Sequence, residues 1–483
     1  MTQPGEHPIP EPAWSRGAVM ATAVGGAACL ALELRFNHMG GILEGRYPML
    51  GVLGAWWVAF AVAAWGLLHL PRRAAMGVVL AGAVVFGLAA LTSRPQISDD
   101  LYRYAWDGSV QAHGIDPYRY PPNDAHVADI RDPWLWPSPR TCATWNKAAN
   151  CTRINREMER TIYPPVAQAW FRLLDAVLPA GSRHKSFQVT HGMVSLGLTA
   201  LLMGMLHNLG RNPAHAVFWA WSPLAVLETV MDAHVDVVAL GAAVLALWAF
   251  ERRRPILGGA LLGVGIAVKL IPGVFLPAGL RRKPVWVAAA VGTVVGLSYL
   301  PHVLAVGPTV LGYLPGYLKE ENYSQGSRFL LLGLAGLHGT AAQVTAVVLL
   351  AVTGVVVAFT PFPAWLRRLG HASDIGDDGE PASPITRARW MLVVVFLIVT
   401  PVQPWYAVLV VSVAALDERW ELLAIAAAAY PLYFGTILDK AAPGLGTISY
   451  GIAALIVLGA TVWRQRFQPV TTRPALVTPV PNA

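Results

Sequence analysis

Two adjacent carboxylates open the segment Ser98-Asp99-Asp100-Leu101-Tyr102-Arg103-Tyr104-Ala105-Trp106-Asp107-Gly108. On a helix Asp100, Arg103, Tyr104 and Asp107 fall at i, i+3, i+4 and i+7 and so share one face, with Asp99, Tyr102 and Arg103 as an adjacent stripe. A carboxylate beside tyrosines can take a proton from a hydroxyl, the work of a general base. A plainer role is open as well: Ser98 or Asp99 caps the helix and favours its dipole. Ser98 can cap alone, which leaves a second carboxylate without a structural task.

Candidate cations and aromatics lie far along the chain. Lys269 stands inside the apolar run Gly265–Pro272, where an unpaired charge is costly and usually functional. Snorkelling to the interface is the alternative, but basic clusters on both sides leave no short way out. His234 and Asp236 follow Glu228 and Asp232 in ETVMDAHVDVV, expected at a short outer turn between two helices. The His-x-Asp spacing suggests a metal only weakly, since no further ligand cluster is near; helix-end hydrogen bonding and contact with a phosphate are the other readings. Arg328, after Tyr323-Ser324-Gln325-Gly326-Ser327, opens an outer helix and offers a second phosphate contact. Gln403, Trp405 and Tyr406, with Tyr163 in Thr161-Ile162-Tyr163-Pro164-Pro165, are candidates for stacking on a sugar or a lipid chain. Interfacial anchoring explains the same aromatics.

The elements that must position these residues are membrane helices. Of the 483 residues, 55% are hydrophobic and 13% charged, against about 25% charged in soluble domains. Apolar blocks such as 49–70, 74–92, 284–305 and 340–360 match the roughly 20 residues that cross a bilayer. The net charge of +8 collects in Arg72-Arg73, Arg252–Arg254, Arg281–Lys283, Arg367-Arg368, Arg387/Arg389 and Arg464/Arg466. All flank apolar blocks, a positive-inside pattern and not a nucleic-acid footprint. The N-terminus lacks a basic region and a cleavage site, so it does not read as a signal peptide.

With these clusters on the cytoplasmic side, residues 1–16 form a cytoplasmic tail and 17–92 hold three helices. Residues 93–185 then form a large extracytoplasmic loop. The rest of the bundle runs over 186–463, with an outer loop at 306–327 and a cytoplasmic one at 361–389, and 464–483 is a second tail. Full helices are expected at 186–207, 214–231 and 234–250. Residues 256–280 have inside-type basic clusters at both ends yet cannot cross twice as two full helices, and 390–416 behaves the same way. They read as broken or re-entrant, with Lys269-Pro272 and Thr400–Tyr406 at the breaks, and irregular backbone at that depth implies an internal cavity. The fold expected is an all-α polytopic bundle of about 11–13 segments. Residues 166–178 read as an amphipathic interfacial helix, with Trp170, Leu173, Leu174 and Val177 on one side and Gln168, Arg172 and Asp175 on another; a loop helix packed on the domain is the alternative. Cys142 and Cys151 can pair if the loop is outside the cytoplasm.

The ordered motifs SDDLYRYAWDG, GIDPYRY, TIYPP, AVKLIPGVFLP and TPVQPWY resemble bacterial GT-C glycosyltransferases across most of 74–440. They are most similar to the actinobacterial mannosyltransferases that use polyprenyl-phosphate-mannose, including the phosphatidylinositol-mannoside and lipomannan enzymes. The resemblance implies a GT-C-like bundle in the plasma membrane that acts on the extracytoplasmic side. The sugar passes from a polyprenyl-phosphate donor to a glycolipid or glycan acceptor, with membrane lipids around the site, no nucleic acid, no cofactor and no metal. It places the catalytic base on the Asp99-Asp100 pair, with Asp100 preferred and Asp99 as helper. Lys269, Arg103, His234, Asp236, Arg328 and Tyr104 are then donor contacts, and the transfer inverts the sugar. A transporter or flippase also suits broken helices with a buried lysine, although no internal repeat is evident, and a non-catalytic scaffold is a third class.

Overall fold

The computed structural model describes residues 14–42, 46–179, 181–361, 382–437, 442 and 444–467. Most of the expected tails, and residues 362–381 of the expected cytoplasmic loop, lie outside these. All regular structure among the described residues is helical. Among the described residues, seven helices are long and apolar enough to cross a membrane: Arg16–Asn37, Tyr47–Leu68, Arg72–Ala90, Arg183–Asn208, Pro284–Glu320, Gly339–Phe359 and Leu445–Arg464. The larger number expected from apolar blocks is approached only by counting short and interrupted helices, because several blocks do not run through as single helices.

Two interruptions fall where the sequence places them. The helix Pro255–Val268 stops at Lys269, whose backbone is extended, and resumes as the short helical turns Ile271–Phe275 and Leu276–Gly279. Pro272 supplies no N–H to continue the first helix. The helix Pro384–Val399 ends at Thr400, whose φ is +41°, and helical backbone returns at Pro404–Ala407 and Val408–Leu416.

A third interruption corrects the expected helices 214–231 and 234–250. Pro213–Ala216 and Val217–Ala220 are short, Pro223 follows, and Ala225–Met231 is a π-helix. The chain then turns through Asp232–Val235 and leaves as Asp236–Glu251, bent by 118° from the preceding segment. A π-turn re-aims side chains and is frequent at functional sites. The turn is enclosed by protein instead of lying open at the surface: Glu228, Asp232 and His234 are wholly buried and Asp236 nearly so.

The large loop folds as a cap on the bundle. The Ser98 hydroxyl accepts the Asp100 N–H at 3.2 Å, so Ser98 supplies the cap and the Asp99 carboxyl makes no capping bond to the helix Asp100–Ala112. That helix ends at Gly114, whose φ of +73° is the left-handed stop that glycine takes without strain. The helix Pro165–Val177 packs on it, Phe171 stacking on Tyr104 at 4.5 Å with Tyr163 edge-on at 5.0 Å from Tyr104. Gln168, expected on the polar side, is buried, whereas Leu173 and Val177 stay exposed. The helix therefore packs on the cap through Ala167, Phe171 and Leu174 and leaves an apolar edge free.

Asp107 locks the cap from inside. Its carboxylate accepts from Arg103 Nε at 2.9 Å, Thr161 Oγ1 at 2.6 Å and Gln168 Nε2 at 2.9 Å. A buried carboxylate with this many donors is a structural hub. At the opposite end of the bundle, buried Asp417 takes Arg389 at 2.5 Å, Arg211 at 3.6 Å and Arg419 at 3.9 Å. Arg389 is thus tied into the protein core instead of lying free at a helix flank.

Candidate active site

Between the cap, the segment 307–329 and the two predicted breaks lies a cavity of about 1280 Å³. Asp99, Asp100, Arg103, Tyr163, Lys269, Gln403, Trp405 and Tyr406 line it. Four other candidates do not: Tyr104, His234, Asp236 and Arg328 stand one layer behind the wall.

Asp100 is held from two sides. Asn155 Nδ2 donates to its Oδ1 at 2.7 Å, and the buried His234 Nε2 lies 3.9 Å from its Oδ2. That Nε2 has no hydrogen-bond partner. His234 Nδ1 is already engaged: it meets the Glu228 backbone carbonyl at 3.1 Å and lies 3.2 Å from Glu228 Oε2 as a charge contact, and Tyr430 donates to Glu228 Oε1 at 2.7 Å. The imidazole also stacks on Trp405 at 4.1 Å. A chain Tyr430–Glu228–His234 therefore aims one free ring nitrogen at Asp100.

Asp99 is open to the cavity and faces the other way electrostatically. Enclosure pushes its carboxyl up, and the repulsion of Asp100 adds to the rise; Lys147, Arg153 and Arg94 oppose it without cancelling it. Burial also pushes Asp100 up, but His234, Lys269 and the contacts from Asn155 and Tyr163 more than offset this and hold it below the ordinary carboxylate value. The two carboxyls are thereby driven apart, the usual mark of distinct roles in acid–base pairs.

Lys269 carries a partner that its position in the sequence does not suggest. Its Nζ donates to Asp236 Oδ2 at 3.0 Å, and it sits 5.1 Å from the ring centre of Tyr163 and 5.5 Å from that of Tyr406. The expected unpaired charge is an ion pair at the cavity wall. Arg103 is likewise committed, to Asp107 and to the Glu159 carbonyl at 3.0 Å. Arg328 faces Glu321 at 3.4 Å, while the Gln403 amide donates to the other Glu321 oxygen at 2.6 Å. Tyr317 and Tyr406 meet hydroxyl to hydroxyl at 3.0 Å. These contacts fasten the segment 307–329 to the second break.

Cys142 and Cys151 form a disulfide just before Asn155 and Arg156. Thr152 Oγ1 and the Arg153 N–H both donate to the Leu135 carbonyl, at 2.8 and 2.9 Å. Nothing in the spacing around Asn155 or Arg156 announces their place on the cavity. Glu228 does carry a signal: four ionisable residues within nine positions of an apolar stretch mark buried polar chemistry in a membrane protein. Among the described residues no group of three or more His, Cys, Asp or Glu is placed to hold a metal ion.

Leu270, Ile271, Val274, Leu314, Leu318 and Met391 give part of the lining an apolar character. Fold and site together define an all-α, polytopic membrane protein whose cavity is lined by both carboxylates and apolar side chains. The family model for Glycosyltransferase family 87 matches residues 161–372, and this supports a membrane glycosyltransferase. The matched stretch includes Tyr163, His234, Asp236, Lys269 and Arg328; Asp99-Asp100 and the Thr400–Tyr406 break lie outside it. No curated protein and no solved structure matches the chain.

Proposed function

We propose that the protein transfers a hexose, mannose by the resemblance of its motifs, from a polyprenyl-phosphate donor to a hydroxyl of a cell-envelope glycolipid or glycan. The observation that carries this reading is Asp100: an oriented carboxylate on the wall of a cavity that also has apolar lining for a lipid chain. Asp100 takes the acceptor hydroxyl proton as the acceptor oxygen bonds to the sugar anomeric carbon. The bond from that carbon to the phosphate oxygen breaks, its electron pair leaves with polyprenyl phosphate, and one displacement inverts the sugar. Lys269, steadied by Asp236, faces the charge that grows on the phosphate. His234, held by Glu228, steadies Asp100 from behind. A transporter or flippase is not favoured, since the family match is to a glycosyltransferase. Active-site access is assigned to the extracytoplasmic side of the plasma membrane.

Membranes containing the protein are expected to transfer radiolabelled mannose from polyprenyl-phosphate-mannose and not from a nucleotide sugar. Transfer from the nucleotide donor alone, in membranes stripped of lipid-linked sugar, contradicts the donor class.

The pH profile separates the two carboxylates. A base held below the ordinary value of about 4 stays ionised to lower pH, so with Asp100 as base the acid limb of kcat/KM lies below that value. With Asp99 as base the limb lies above it. The same sign governs stability: the contribution of ionised Asp100 is present above its unfolded-state value and is lost as pH falls through the depressed one. An acid limb above the ordinary carboxylate value assigns the proton transfer to Asp99.

A further inference from the structure

The cavity wall carries a guanidinium whose carboxylate partner stands in water. Arg156 lines the cavity within electrostatic range of Asp100. Its Nε and Nη2 donate to the two oxygens of Glu320 at 3.0 and 2.5 Å. Unlike Lys269 and Arg103, whose carboxylate partners are buried, this pair is open to water, with 38% and 42% of the two side chains exposed. The two-pronged geometry is the strong form of such a pair, its exposure to water screens it, and the same guanidinium fork matches a phosphate in shape and charge. Glu320 has a second partner, since the Tyr313 hydroxyl donates to its Oε2 at 2.8 Å. Releasing Arg156 therefore does not strand the carboxylate. The Arg156 backbone is left-handed, at φ +50°, a conformation that non-glycine residues adopt at a cost and that gathers at functional sites.

We infer that Arg156 is the residue that grips the donor phosphate, and that Glu320 holds it in reserve until the donor displaces it. The inference rests on the polyprenyl-phosphate reading of the cavity and adds to it a residue and an exchange. Because Arg156 belongs to the cap and Glu320 to the segment 307–329, the exchange also unfastens one tie between them. Donor entry and the freeing of the cavity mouth become one event.

The test uses the full-length protein in detergent. Binding of a polyprenyl monophosphate is measured by quenching of intrinsic tryptophan fluorescence, with the uncharged polyprenol as control and thermal melting to verify folding. R156A is expected to weaken polyprenyl monophosphate binding at least tenfold and to leave polyprenol binding unchanged. R156K is expected to recover part of the loss. E320Q, which removes the competing charge, is expected to tighten binding about threefold. Wild-type affinity in R156A overturns the inference, as does a parallel loss in R156A and E320Q, which marks the pair as a strap and nothing more. In the first case the donor class stands and only the role of Arg156 falls. If wild-type protein binds polyprenol but not the phosphate, the donor class falls and the inference with it.

Discussion

Asp100→Asn is expected to lower kcat by about 10²–10⁴-fold, the range that a positioned general base supplies, while donor binding persists. Asparagine keeps the shape and can still meet Asn155, but it cannot take a proton. Asp99→Asn is expected to cost much less, because Asp99 has no oriented donor of the kind that Asn155 gives Asp100 at 2.7 Å. Initial rates with saturating donor, measured on both single variants and the double, settle the assignment. A double variant with full activity removes the base from this pair altogether; a large loss confined to Asp99→Asn moves it by one residue. Donor binding that collapses together with the rate in Asp100→Asn indicates a binding role for the carboxylate.

Lys269→Met is the second large effect, and it is expected to appear in stability before activity. The substitution leaves Asp236, 2% exposed and with its Oδ1 already lacking a partner, as an uncompensated buried charge. Breaking one side of such a pair destabilises by about 3–5 kcal/mol, whereas replacing both partners by neutral groups is often tolerated. Lys269→Met combined with Asp236→Asn is therefore expected to restore the melting temperature of the detergent-solubilised protein without restoring transfer. Restored transfer in the double variant shows that the Lys269 charge is not used in the reaction. An unchanged melting temperature in Lys269→Met shows that Asp236 finds another partner.

What the sequence disclosed follows from the range of the forces involved. Length and apolarity are local, so the membrane class and the breaks at Lys269 and at Thr400–Tyr406 could be read directly. Pro272 and the sequence Pro401-Val402-Gln403-Pro404 forbid a continuous helix whatever surrounds them. The break before Asp236 was harder, because Ala225–Val230 has an unexceptional helical composition apart from Glu228, and a π-turn is selected by what the side chains meet. Site roles divide in the same way. The acidic pair stands out by composition, but the Lys269 partner lies 33 residues away, the Asp100 donor 55 and the Arg156 partner 164. Partners at such separations are chosen by packing, and no spacing rule reaches them. His234 and Arg328 are in the right neighbourhood for a donor contact, yet His234 turns to Glu228 and Asp100 and Arg328 to Glu321.

The short stretch 93–97, which carries the chain from the third helix to Asp99, is anchored from several directions. The Gln96 N–H donates to Asp232 at 2.7 Å, Tyr433 to the Ile97 carbonyl at 2.7 Å, and Gln188 and Lys185 to the Ser93 carbonyl at 3.2 and 2.5 Å. These anchors come from three distant parts of the bundle. The cap is therefore not a portable module, although it has its own disulfide, for its core is completed by Phe187, Ala233, Val235, Ala239 and Val268 of the bundle. Grafted onto another scaffold, it would lose that closure and present Asp100 at the wrong place. A chimera that exchanges acceptor preference between enzymes of this architecture has to carry the Asp232 turn, Tyr433 and the start of the Arg183–Asn208 helix along with the loop.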